Sequence, residues 1–188
     1  MEGIMSPSMT YLRKGIYRSD HPETQHDSPG GAAAGRIHGG DGPPFLRFVR
    51  NYPTTLDDVW SAITAHDRMG RWAFPGHLEP RVGGRVRFDS DDADTPLGRI
   101  LTWDEPQLLE YRWGAGDDSW HVRFELATNG AGGTTLTFDH LLPEPTNPEF
   151  AAGWHWHLDR LEQLLDGDEP DDVDEDQHFH DLMEHYAN

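Results

Sequence analysis

The chain has 188 residues, with 34 acidic and 15 basic side chains giving a formal charge of −19, which argues against a nucleic-acid-binding surface because phosphate recognition needs clustered Lys and Arg. Cysteine is absent, so disulfides, thiol chemistry and thiolate zinc sites are excluded. The length suits one domain with appendages, and only 35% apolar residues alongside seven Trp, eight Phe and five Tyr suggests an aromatic-rich core diluted by solvated ends.

Residues 1 to 44 contain the runs Ser28 to Gly35 and Gly39 to Pro44, rich in Gly, Ala and Pro. Too few periodic apolar positions exist there to offset ordering entropy, so a disordered N-terminal extension is expected, or the product of an upstream mis-assigned start. No segment approaches the roughly 18 apolar residues of a membrane span or carries a secretory apolar run, and a cytoplasmic location is expected by default. Order is expected from Phe45. FLRFVRNY alternates into a first strand ending at Pro53, and Thr54 or Thr55 can cap a helix with Leu56, Val59, Trp60 and Ile63 on one stripe. A second short helix carries Met69 and Trp72 and stops before Pro75.

Gly83-Gly84 signals a hairpin into the strand Arg85 to Asp89. Further strands are predicted over Gly98 to Trp103, Leu108 to Trp113, Trp120 to Ala127 and Thr134 to Leu142, each bounded by turn residues and therefore forming an antiparallel meander. Alternation places Trp120, Val122, Phe124 and Leu126 on one face. It also groups Leu136, Phe138, His140 and Leu142, and Leu109, Tyr111 and Trp113. Pro148 to Asp166 reads as a long helix closed by Gly167, its stripe of Trp154, His157 or Leu158, Leu161, and Leu164 or Leu165 requiring an apolar partner that the sheet supplies.

From Asp166 to Asn188 there are ten acidic and no basic side chains, leaving 24 acids against 15 bases before it. This acidic tail, residues 168 to 188, ends in a segment where Phe179, Leu182, Met183 and Tyr186 share helical spacing, so a short amphipathic helix is expected, with packing back on the domain and a fraying terminus as the two alternatives. Its charge could dock on a basic protein partner, although such runs also serve as solvated linkers.

Several stretches carry a family likeness: YPTTLDDVW from Tyr52 to Trp60, then Trp72, Glu79 to Gly84, Gly98-Arg99-Ile100 with Glu105-Pro106, Leu109 to Trp113, Gly133 to Leu136 with His140, and Gly153-Trp154. In this order they resemble the SRPBCC or START-like superfamily, in the branch related to the activator of the ninety-kilodalton heat-shock chaperone's ATPase. The likeness runs over about two thirds of the chain. It implies an α+β helix-grip fold over residues 45–167, a curved antiparallel sheet of about six or seven strands wrapped around a long C-terminal helix, with two short helices after the first strand. The resemblance further implies a groove that holds lipids, polyketides or hormones in some members, whereas others are cyclases or chaperone cofactors. It carries no set of catalytic residues.

The candidate ligand-binding residues are therefore the inward aromatic and polar groups Trp72, Phe74, Phe88, Tyr111, Trp113, Trp120, Phe138, His140, Trp154 and His157, suited to a small hydrophobic ligand. Simple core filling is the alternative for each. His140, set among apolar residues, could bond a ligand carbonyl or act with Tyr111 as an acid-base group, or be a satisfied core histidine. Neither a cofactor nor a metal is expected. His155 and His157 point about 200° apart on a helix and cannot share an ion, and His178, His180 and His185 form only a solvated cluster. Arg85, Arg87, Arg99, Arg112 and Arg123 are expected on the outer sheet face beside acids. The function expected is binding of a small apolar ligand, with no catalysis or weak catalysis. A cyclase or dehydratase-like enzyme and a chaperone-activating partner module are the alternatives.

Overall fold

The computed structural model describes residues 34–39, 42–89, 97–114, 119–143, 147–170 and 175–187. Strand β1 (Arg36–His38) pairs antiparallel with β2 (Phe45–Tyr52), so part of the segment expected to be disordered forms a sheet edge. Residues 1–33, the bulk of that segment, lie outside the described residues. Next come α1 (Leu56–Thr64), α2 (His66–Trp72), β3 (Gly76–Leu78), β4 (Arg85–Phe88), β5 (Gly98–Asp104), β6 (Leu108–Trp113), β7 (Trp120–Thr128), β8 (Thr134–Leu142), α3 (Pro148–Asp166) and α4 (Glu175–Ala187). The described sheet has eight strands in the order β1-β2-β8-β7-β6-β5-β4-β3, two more than the clear alternating runs. Both additions, β1 and β3, are only three residues long, too short for alternation to show.

Period-two burial builds the concave face. Leu46, Phe48, Arg50 and Tyr52 of β2 point inward, as do Leu109, Tyr111 and Trp113 of β6, and Trp120, Val122, Phe124 and Leu126 of β7. The register sets Phe124 opposite Phe138, and Tyr111 opposite Val122. One expectation fails here. A bulge pairs Val122 with His140 but His121 with Leu142, so Leu142 joins the outward row of His121 rather than the inner row of Phe138. On that outer face Arg112 donates to His121 Nδ1 (3.1 Å), His121 Nε2 donates to Glu110 (2.6 Å), and Arg85 pairs with Glu79 and Arg123 with Glu125.

The two glycines of the first hairpin do different jobs. Gly83 turns with φ 76°, whereas a Cβ on Gly84 would lie 2.3 Å from the Glu79 carbonyl oxygen, so Gly84 is required by backbone proximity. Thr55 caps α1 by accepting from the Asp58 amide, and Asp57 and Asp58 sit in its positively polarised first turn. Asn147 caps α3, with Pro148 following, and Gly167 ends it at φ 90°.

Helix α3 lies across the sheet and is buried almost all round between Phe150 and Leu158. Its sheet-facing Leu158 and Leu161 are fully buried, each contributing about 1.5–3 kcal/mol relative to exposure. The stripe forecast for one face is wider because α4 covers another: Ala152 and Trp156 pack with Leu182, Phe179, Met183 and Tyr186. The expected amphipathic final helix thus docks on α3. It is latched by one hydrogen-bond chain, in which the Gly35 amide donates to the Tyr186 hydroxyl (2.8 Å) and that hydroxyl bonds His155 Nδ1 (2.8 Å).

Candidate functional site

Where the sheet curls away from α3 at the β4–β6 end, a hollow remains. It is lined by Ile63 of α1, Met69 and Trp72 of α2, Ala73 and Phe74 just after α2, Phe88 of β4, Tyr111 and Trp113 of β6, Phe124 of β7 and Trp154 of α3. The hollow spans about 310 Å³ including its open mouth, and its lining rings leave little free space within. The rings fill it against one another: Phe88 meets Trp113 at 5.3 Å and Tyr111 at 6.2 Å, and Phe74 meets Phe88 edge-on at 6.1 Å. Among the described residues, no lining side chain carries a charge and the only lining hydroxyl is that of Tyr111. Burial raises that phenol's pKa well above its ordinary value, so it is a neutral donor or acceptor.

Six of the ten sequence candidates line this hollow: Trp72, Phe74, Phe88, Tyr111, Trp113 and Trp154. The other four do not. Trp120 stacks on Trp113 (5.2 Å) and meets Phe150 edge-on (5.4 Å), and Phe138 is wedged between Trp154 (4.4 Å) and Phe124 (4.9 Å), so both pack the solid part of the core. Ile63, Met69, Ala73 and Phe124 line the hollow without having been candidates. Periodicity placed Ile63, Met69 and Phe124 inside, but only the helix crossing decides which inward residues border a gap.

His140 is held at both nitrogens. The Trp154 indole N–H donates to Nδ1 (2.8 Å), and because indole can only donate, Nδ1 must be the bare nitrogen. Nε2 therefore carries the proton and donates to the Pro143 carbonyl (2.8 Å). Burial pushes this imidazole down to about 4. Neither nitrogen is left for a ligand, and the geometry is that of a satisfied core histidine.

His157 differs. Its Nδ1 must donate to the Trp72 carbonyl (3.0 Å), leaving Nε2 as a bare acceptor that is buried with no partner among the described residues. The ring stands 5.0 Å from Phe74 and 5.9 Å from Trp154, directly behind the lining, and burial pushes it down to about 4. As the helical spacing requires, His155 turns elsewhere, to Tyr186 and Asp159. In α4, His178 faces Asp159 whereas His180 pairs with Glu184, so the terminal histidines do not converge.

Among solved structures, the chain is similar to CalU16 from Micromonospora echinospora, with 24% identity, a TM-score of 0.62, and 82% of this chain and 92% of that one covered. It is similar to EF2215 from Enterococcus faecalis, a conserved protein of unknown function, at 20% identity and a TM-score of 0.67, covering 97% and 95%. DynU16, a protein in the dynemicin biosynthetic locus, shares 29% identity at a TM-score of 0.52 over 67% of this chain, which spans 48% of DynU16. No curated protein matches. The family model described as activator of Hsp90 ATPase homolog 1-like protein matches residues 53–166, from the loop before α1 to the end of α3. Spanning more than half of the 188 residues, that match places the chain in the activator of Hsp90 ATPase homolog 1-like family, on the helix-grip fold.

Proposed function

We propose that this chain binds a flat, largely apolar small molecule of lipid or polyketide type in the hollow between sheet and α3. The observation that carries the reading is the lining itself: among the described residues, ten side chains, seven of them aromatic, none charged, with one phenol to orient a ligand's polar group. The packed hollow must widen to admit it, and the half-buried Phe74 and Phe88 are the rings at hand to turn aside. Breaking their edge-on contact costs about 0.5–1.5 kcal/mol. Burying about 200 Å² of apolar ligand surface returns about 5 kcal/mol, more than the parting of that one ring contact costs. The likeness to DynU16, a protein in a biosynthetic locus, supports a small-molecule role.

The test is titration of the full chain with a planar hydroxyanthraquinone and, separately, with palmitate, following tryptophan fluorescence, since Trp72, Trp113 and Trp154 border the hollow. Saturable quenching at one equivalent is expected, and Ala73→Trp, which fills the mouth, should abolish it. If neither compound binds, or if Ala73→Trp binds like the unaltered chain, the reading fails.

A cyclase or dehydratase activity would need an acid-base pair facing the hollow. Tyr111 faces it, but His140 lies outside with both nitrogens engaged, so the geometry gives that pairing no support. For partner binding through the tail, α4 already spends its apolar side on α3, which leaves only its charged side for a second protein.

A further inference from the structure

We infer that His66, His77 and Asp89 form a site for a divalent transition-metal ion such as Zn²⁺ at the β3 edge of the sheet. The three residues come from separate elements: His66 opens α2, His77 is the middle of β3, and Asp89 follows β4. The fold brings them together because β3 pairs with β4 and the Asp89 amide donates to the Pro75 carbonyl (2.8 Å), which holds Asp89 beside both histidines.

The imidazoles of His66 and His77 are stacked face to face, centroids 4.1 Å apart and planes 6° from parallel, so one exposed ring must turn for both Nε2 lone pairs to meet one ion. His66 Nε2 is 3.7 Å from Asp89 Oδ2 and His77 Nε2 is 3.9 Å from Oδ1, both too long for hydrogen bonds. Ligand atoms around a tetrahedral zinc at its usual bond lengths are about 3.4 Å apart. The three ligand atoms lie within 4.8 Å of one another, and all three side chains are exposed, so the ring rotation and approach that an ion requires meet no packed core.

Tautomer control supplies an independent argument. His66 Nδ1 is 3.2 Å from the Gly76 carbonyl oxygen, which can only accept, so Nδ1 carries the proton and Nε2 is bare. A backbone carbonyl behind one imidazole nitrogen is the arrangement that orients metal-bound histidines and increases their basicity. Two imidazoles and one carboxylate select Zn²⁺, Ni²⁺ or Cu²⁺ over Mg²⁺ or Ca²⁺. All three side chains are exposed.

The experiment titrates chelator-treated full-length protein with Zn²⁺ by calorimetry and with Co²⁺ by visible absorption. One equivalent should bind, with the intense visible bands of a low-coordinate cobalt site. His66→Gln, His77→Gln and Asp89→Asn should each weaken binding by more than about tenfold, since losing even an outer partner costs about 10–100-fold. His178→Gln with His180→Gln should leave it unchanged. Thermal melts of the metal-free variants confirm that the exposed substitutions leave the fold intact. Absence of a stoichiometric site, unchanged affinity in the three variants, or loss only on changing the α4 histidines would overturn the assignment.

Discussion

Acid should destabilise this protein well above the range where its carboxylates titrate. His140 and His157 are buried as neutral imidazoles, each pushed down to about 4 by loss of water. Protonating His140 would set a new N–H against the Trp154 indole N–H, and protonating His157 would bury a cation whose Nε2 has no acceptor among the described residues. In the unfolded chain both revert to about 6.5. Between those values the unfolded state holds more protons, so stability is constant above roughly pH 7 and falls as the pH drops from about 6.5 towards 4. At pH 5 a shift of this size corresponds to about 2 kcal/mol per residue, so about 4 kcal/mol for the pair. His155 is also pushed to about 4 by burial, against the opposing pull of Asp159 3.5 Å away. Glu162, whose carboxyl burial raises, opposes the trend at the acid end. Against a total of about 5–15 kcal/mol this is a large fraction. Urea unfolding followed by fluorescence at pH 8, 6.5, 5.5 and 5 measures it directly, with His157→Leu expected to flatten the profile by about 2 kcal/mol at pH 5. A change below about 1 kcal/mol between pH 8 and 5 in the unaltered chain, or a His157→Leu profile parallel to it, would refute the reasoning.

Trp154→Phe keeps an aromatic ring but loses the indole N–H that His140 Nδ1 accepts from, and the smaller ring leaves a gap in the core; a loss of about 1–3 kcal/mol or more is expected in urea unfolding at pH 8. Tyr186→Phe removes the hydroxyl joining Gly35 and His155, and faster amide exchange at Gly35 together with about 1 kcal/mol lost stability should follow. Gly98→Ala places a Cβ 2.3 Å from the Arg112 carbonyl oxygen, so β5 must shift from β6 at a cost of about 1–3 kcal/mol, read as a lower melting temperature.

What could be read from the sequence follows the range of the interactions. Thr55 as a cap, Gly167 as a stop and the inward row Trp120 to Leu126 depend on neighbours within a few positions, and all are found where local chemistry puts them. Leu142 fails because one extra residue in a bulge reverses parity, and no composition marks that bulge. Trp72 and Phe74 border the hollow whereas Trp120 and Phe138 do not, although all four are apolar and inward by pattern. Alternation identifies a face. It does not say where along that face a crossing helix lifts away. The same holds for His140: its bond to Trp154 joins a strand to a helix 14 positions later. His66, His77 and Asp89 have no motif spacing because strand pairing, not helical periodicity, assembles them.

The two proposed sites meet in one corner of the fold. At the β2–β8–β7 end, α3 is pressed on the sheet through Trp154, Leu158 and Leu161 and covered by α4, so little room exists for change. At the β3–β4 end, α2 and the following residues give the hollow Met69, Trp72, Ala73 and Phe74, and β4 gives it Phe88. His66 begins that same helix, and Asp89 directly follows Phe88. An ion bridging them ties α2 to the β3–β4 edge across the rings that must part for a ligand to enter. Any effect of the ion on ligand affinity must then be matched by an equal effect of the ligand on ion affinity, because coupling between two binding sites is reciprocal. The sign follows from geometry: a clamp between α2 and β4 favours the packed hollow over the opened one, so the two ligands should oppose each other.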